Sequence, residues 1–188
     1  MMAPPALGAL GMTFTVMRAM QFVSLITIIG ITGNFVSEVV GADLNPPGAL
    51  IGTLVVSTLA TLYLGITFIL YWDSQLPMLV ATGGDFAMTI AVIVVACVVG
   101  RPTSYLKCEK FPSKGGDTAS FINSLFHNVK NLTGNVFRWV NADKASCYQL
   151  KTVWGLSIAL GVLFFFSSIT CACLWKRLKA PAPPKDLE

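Results

Sequence analysis

The chain has 188 residues, 54% of them hydrophobic and 12% charged, with a net charge of +4 and a mean hydropathy of +0.70. Soluble domains carry about 25% charged residues, so this balance excludes an ordinary water-facing surface and points to lipid as the main solvent. The basic excess is not a nucleic-acid footprint: eight of the thirteen Lys and Arg lie between Arg101 and Lys151, interleaved with acids and with no stacking platform.

Residues 1–13 are expected to form a short, Pro- and Gly-containing tail. No basic region precedes the first apolar run, and that run is too long for a signal-peptide core, so it is expected to stay uncleaved. The first span is predicted over residues 17–40, with Arg18 at its entrance and Glu38 at its exit. The turn-rich stretch 41–48 follows, in which Pro46 and Pro47 stop a helix and Gly48 releases the chain. A second, uncharged span covers 49–72. The short connection after it makes the second and third spans antiparallel neighbours. The third span, 78–100, contains Asp85 and is closed by Arg101 and Pro102.

Residues 101–151 form the one sizeable polar segment. Within it Phe121, Leu125, Val129, Leu132, Val136 and Val140 recur at steps of three and four, which predicts an amphipathic helix capped by Thr118. The fourth span, 152–175, is uncharged between Thr152 and Trp175. Trp154 and Trp175 sit near its ends at interface level, and Lys176, Arg177 and Lys179 follow at once. At ~1.5 Å per residue, ~20 residues cross the hydrocarbon core, so all four runs are long enough. Residues 180–188 form a Pro-rich tail. The fold expected is an all-α membrane protein: a four-transmembrane-helix bundle over residues 14–179, with a disulfide-stapled outer loop carrying an amphipathic helix.

Spans in lipid associate through small residues. Three every-fourth stripes stand out: Gly83, Ala87 and Ala91; Ser57, Thr61 and Gly65; Gly155 and Ala159.

The pattern resembles the MARVEL-domain tetraspan proteins, above all the fungal MARVEL-like group. The matching features are Arg18 early in the first span, Asp85 in the third, and a longer second loop carrying Cys108 and Cys147. The run from Cys147 to Thr152 then leads into the last span. The resemblance covers about residues 14–177. It implies a membrane-organising role in microdomains, membrane apposition or trafficking, with both termini cytoplasmic and no enzymatic activity. Unlike larger members, this chain is not expected to act through a long cytoplasmic extension after the fourth span.

Several residues are candidates for specific chemistry. A lone carboxylate in a span costs ~2.5–3.5 kcal/mol on insertion scales, so Asp85 is expected to pair with Arg18 in an intramembrane ion pair. The competing reading has Arg18 snorkelling to lipid phosphates. Cys108 and Cys147 would pair in an oxidising compartment and otherwise stand as free thiols. Asn131-Leu132-Thr133 is a glycosylation acceptor pattern. Cys171 and Cys173, beside Trp175 and Lys176, are candidates for S-palmitoylation. Cys97 reads as a small packing residue. His127 stands without ligand-spaced neighbours, so no metal site, cofactor or catalytic group is expected.

Two arguments conflict on orientation. Counting Lys and Arg puts the large loop in the cytoplasm, whereas the cysteine pair, the acceptor pattern, the first span and the resemblance put it outside. The loop is placed outside, in a plasma-membrane or secretory-pathway setting. The expected function is a non-enzymatic tetraspan whose partners are membrane lipids, copies of itself or other membrane proteins. The alternatives are a small transporter or channel subunit using Asp85, or a membrane thiol oxidoreductase using Cys108, Cys147, Cys171 and Cys173.

Overall fold

The apolar runs become four long helices. A computed structural model describes residues 9–73, 78–104, 106–110, 116–130 and 144–179. In chain order the helices are α1 (Ala9–Gly41), α2 (Gly48–Trp72), α3 (Met78–Thr103), α4 (Thr118–Lys130) and α5 (Lys144–Lys179), with a 3-10 turn at Cys108–Lys110. No strand occurs among the described residues. α1, α2, α3 and α5 are each long and apolar enough to cross a membrane. Two of them begin earlier than expected. α1 starts at Ala9, inside the expected tail, and α5 starts at Lys144, inside the expected loop. Hydropathy marks where lipid is needed, and backbone hydrogen bonding carries a helix past that edge.

α1 packs on α2 and α5, and α3 packs on the same two helices, so α1 and α3 stand on a diagonal of the bundle. The buried positions explain how the helices meet. In α1 they are Gly11, Phe14, Arg18, Gln21, Leu25, Ile28, Thr32, Phe35 and Val39, at alternating steps of three and four. α2 repeats this with Leu50, Thr53, Ser57, Ala60, Leu64, Thr67 and Tyr71, and α5 from Ser146 to Leu174. A 3.5-residue repeat keeps one seam facing the partners and belongs to left-handed, coiled-coil-like packing.

Apart from Ser57, which lies on the α2 seam, the every-fourth stripes stay largely off the seams. Gly83, Ala87, Gly155 and Ala159 are exposed, and side chains built at Gly65, Gly83 and Gly155 would meet nothing. Steps of four turn ~40° round a 3.6-residue helix each time and leave the seam. The close approaches lie elsewhere. A Cβ on Gly84 would fall 2.6 Å from the Tyr63 ring, and one on Gly100 would fall 2.5 Å from Trp154 Nε1.

α1 ends in a turn whose backbone bonds run from Leu44 N–H to Val39 C=O and from Asp43 N–H to Val40 C=O. This is a Schellman arrangement, and the left-handed residue is Asp43 (φ 54°), while Gly41 remains helical.

The loop end of the bundle is capped. Asp117 accepts from Ala119 N–H at 3.1 Å and so N-caps α4; Thr118, expected in that role, instead bonds Ser146 Oγ at 3.0 Å. Phe121, Ile122 and Leu125 of α4 pack with Phe35, Val39, Leu50 and Val99 of the spans. Cys108 and Cys147 are joined by a disulfide within this cluster, with Cα atoms 5.7 Å apart. The rest of the predicted amphipathic pattern, from Leu132 to Val140, and Asn131 itself lie outside the described residues.

Candidate functional site

Near the opposite end, the seams carry polar side chains into the core. Most hydroxyls along the seams satisfy themselves by donating to the carbonyl one turn back. Thr53 bonds Ala49, Thr89 bonds Asp85 and Ser157 bonds Val153, at 2.8, 2.8 and 2.7 Å. Ser167 is different: its hydroxyl donates across the bundle to Asp85 Oδ2 at 2.7 Å.

Asp85 is fully buried, and donors from the other three spans converge on it. Arg18 Nη2 of α1 straddles the carboxylate, 2.9 Å from Oδ1 and 3.0 Å from Oδ2. Tyr63 of α2 lies 2.9 Å from Oδ1 and 2.9 Å from the Ala81 carbonyl, so its single proton is shared between two acceptors. Ser167 comes from α5, with Cys171 Sγ one turn further on at 3.8 Å. Gly84 makes this geometry accessible, because the Tyr63 ring lies where a side chain would otherwise stand.

Arg18 is 2% exposed and sits more than two turns inside α1, so its charge is compensated within the bundle. Nη1 also reaches Gln21 Oε1 at 3.4 Å. The guanidinium carbon lies 4.9 Å from the Phe14 ring centroid and 5.7 Å from that of Tyr63, within cation–π range. Phe14 in turn packs on Tyr71, with ring centroids 4.8 Å apart. Arg18 Nε and Gln21 Nε2 have no hydrogen-bond partner among the described residues. Burying two ions is costly, and such a pair persists only where further hydrogen bonds surround it. Here the tyrosine and serine hydroxyls supply them.

The structure thus brings Arg18 to Asp85, and Cys108 to Cys147. It separates Cys171 from Cys173. Cys171 is fully buried against the Asp85 cluster, which removes it from the acylation expected at the membrane edge, while Cys173 is exposed. Residues two apart on a helix point ~200° apart, so one faces in and the other out. Cys97 is exposed on α3, contrary to the packing role expected of it. Among the described residues no group of three His, Cys, Asp or Glu could hold a metal ion.

Four residues of the cluster were not anticipated: Gln21, Tyr63, Ser167 and Cys171. Gln21, Ser167 and Cys171 lie on the seams that alternate in steps of three and four, whereas Tyr63 lies just off the α2 seam, beside Leu64. Phe14, Arg18, Gln21 and Leu25 follow steps of four, three and four, and Ser167 and Cys171 occupy successive seam positions of α5.

The chain is a multi-pass integral membrane protein. Comparison with protein-family models, curated proteins and solved structures finds no match.

Proposed function

We propose that this protein is a non-enzymatic, MARVEL-like tetraspan that organises membrane through helix packing and lateral association. The supporting observation is the state of Asp85. Its two oxygens are engaged by an arginine, a tyrosine and a serine from three different helices, at 0% exposure. A carboxylate that carries protons or cations must exchange partners with water, whereas one so enclosed acts as a clamp holding the diagonal helices α1 and α3. The rigid bundle then offers lipid and neighbouring proteins a constant outer surface, rich in residues such as Phe22, Ile66, Phe86 and Phe166.

Reconstitution in phosphatidylcholine vesicles tests this reading. Entrapped proton and cation indicators should report no flux above protein-free vesicles. Energy transfer between labelled copies should exceed the level of random mixing. Flux that disappears in Asp85→Asn at normal protein yield would overturn the proposal and make the chain a transporter or channel subunit.

A further inference from the structure

At the loop end, a cleft of about 710 Å³ opens between the α1–α2 connection, the end of α3 and α4. This lies within the ~300–1,000 Å³ common for small-molecule sites. Its walls are apolar, with Pro46, Pro47, Val98 and Phe126, but two exposed charges of opposite sign line it: Asp43 and Arg101. Neither side chain makes a hydrogen bond or ion pair among the described residues. The turn does not demand a carboxylate at Asp43. Its left-handed backbone (φ 54°) is one that glycine adopts without strain, so the charge is carried at a position where an uncharged residue would suffice. The cleft lies where three apolar spans end or begin, at Gly41, Gly48 and Thr103, which is headgroup level in a bilayer.

We propose that this cleft binds the headgroup of a zwitterionic, amine-bearing phospholipid of the phosphatidylethanolamine type. Arg101 takes the phosphate through charge-assisted hydrogen bonds, Asp43 takes the ammonium, and the proline and phenylalanine walls cover the glycerol region. A glycerol headgroup brings the same phosphate to Arg101 but no cation to Asp43, so the pairing discriminates as well as binds. The inference rests on the membrane-spanning reading and is independent of the clamp at the other end of the bundle.

Native mass spectrometry of the detergent-purified full chain, titrated with phosphatidylethanolamine or phosphatidylglycerol, tests it without any variant. The wild-type chain should retain the ethanolamine lipid in preference to the glycerol lipid. Arg101→Gln should weaken both, by roughly tenfold for the loss of one charge-assisted contact. Asp43→Asn, which keeps a side chain tolerated in the left-handed region, should erase the preference. A cooperative thermal unfolding transition in each variant reports that the fold is intact. Equal retention of the two lipids by the wild type overturns the proposal, as does unchanged retention in both variants. So does displacement of the lipid by inorganic phosphate, which would mark a simple anion site.

Discussion

Asp85 faces donors of unequal value, and single substitutions should rank them. Tyr63→Phe and Ser167→Ala each remove one hydroxyl and leave the ion pair, so each should lower stability by about 1–2 kcal/mol in thermal or denaturant unfolding in micelles. Gly84→Ala changes no polar group yet should destabilise at least as much. Its new Cβ would lie 2.6 Å from the Tyr63 ring, and the ring cannot withdraw without releasing Asp85. If Gly84→Ala behaves like an ordinary surface change, the tight packing of Tyr63 on α3 is wrong. At the other end, Asp43→Gly should raise stability by a few tenths to ~1 kcal/mol, because the φ of 54° is free of strain only for glycine.

Among the elements, α4 and the 3-10 turn are tied to the spans by the disulfide and by the apolar cluster of Phe121, Ile122 and Leu125. The bond closes a sequence separation of 39, which in the loop-entropy model contributes about 3–4 kcal/mol. Cys108→Ser, Cys147→Ser and the double variant should therefore lose the same amount, since any one of them opens the loop. Clearly additive losses would mean that the thiols act separately. The spans themselves were legible, because apolar length and interfacial tryptophans act locally. Their ends were less so: Lys144 begins a helix outside the apolar run, where hydropathy carries no signal, and Ala9 begins one just after Pro4 and Pro5, whose composition reads as a tail. The inward faces were misjudged for a related reason. Gly83 and Gly155 fit a small-residue stripe, but the seam that forms depends on how four helices supercoil, and no single helix encodes that. Arg18 and Asp85 were visible because a charge in an apolar run stands out. Tyr63 and Ser167 were not, being ordinary residues until the register between helices is known.

For the molecule as a whole, four crossings put both ends of the described chain on one side. A disulfide within the loop-end cluster suits an oxidising compartment, and on that ground we propose that the loop end faces outward and the termini face the cytoplasm. A glycosylation acceptor inserted after Ala180 should accordingly remain unmodified in cells, and a modified tail would reverse the assignment. The two ends of the bundle then have different work. The loop end carries the disulfide, the α4 cap and the charged cleft, while the opposite half is held by the ion pair across the α1–α3 diagonal. If that pair is the clamp, its loss should be felt as a coupled event and not as two separate ones. Asp85→Asn leaves a buried guanidinium uncompensated and Arg18→Gln leaves a buried carboxylate so, each at a cost of about 3–5 kcal/mol. The direct measurement is a double-mutant cycle on unfolding in micelles with wild type, Arg18→Gln, Asp85→Asn and the double variant. A clamp predicts that the double variant loses less than the sum of the singles by about 1–3 kcal/mol. Losses that add to within about 0.5 kcal/mol would contradict it.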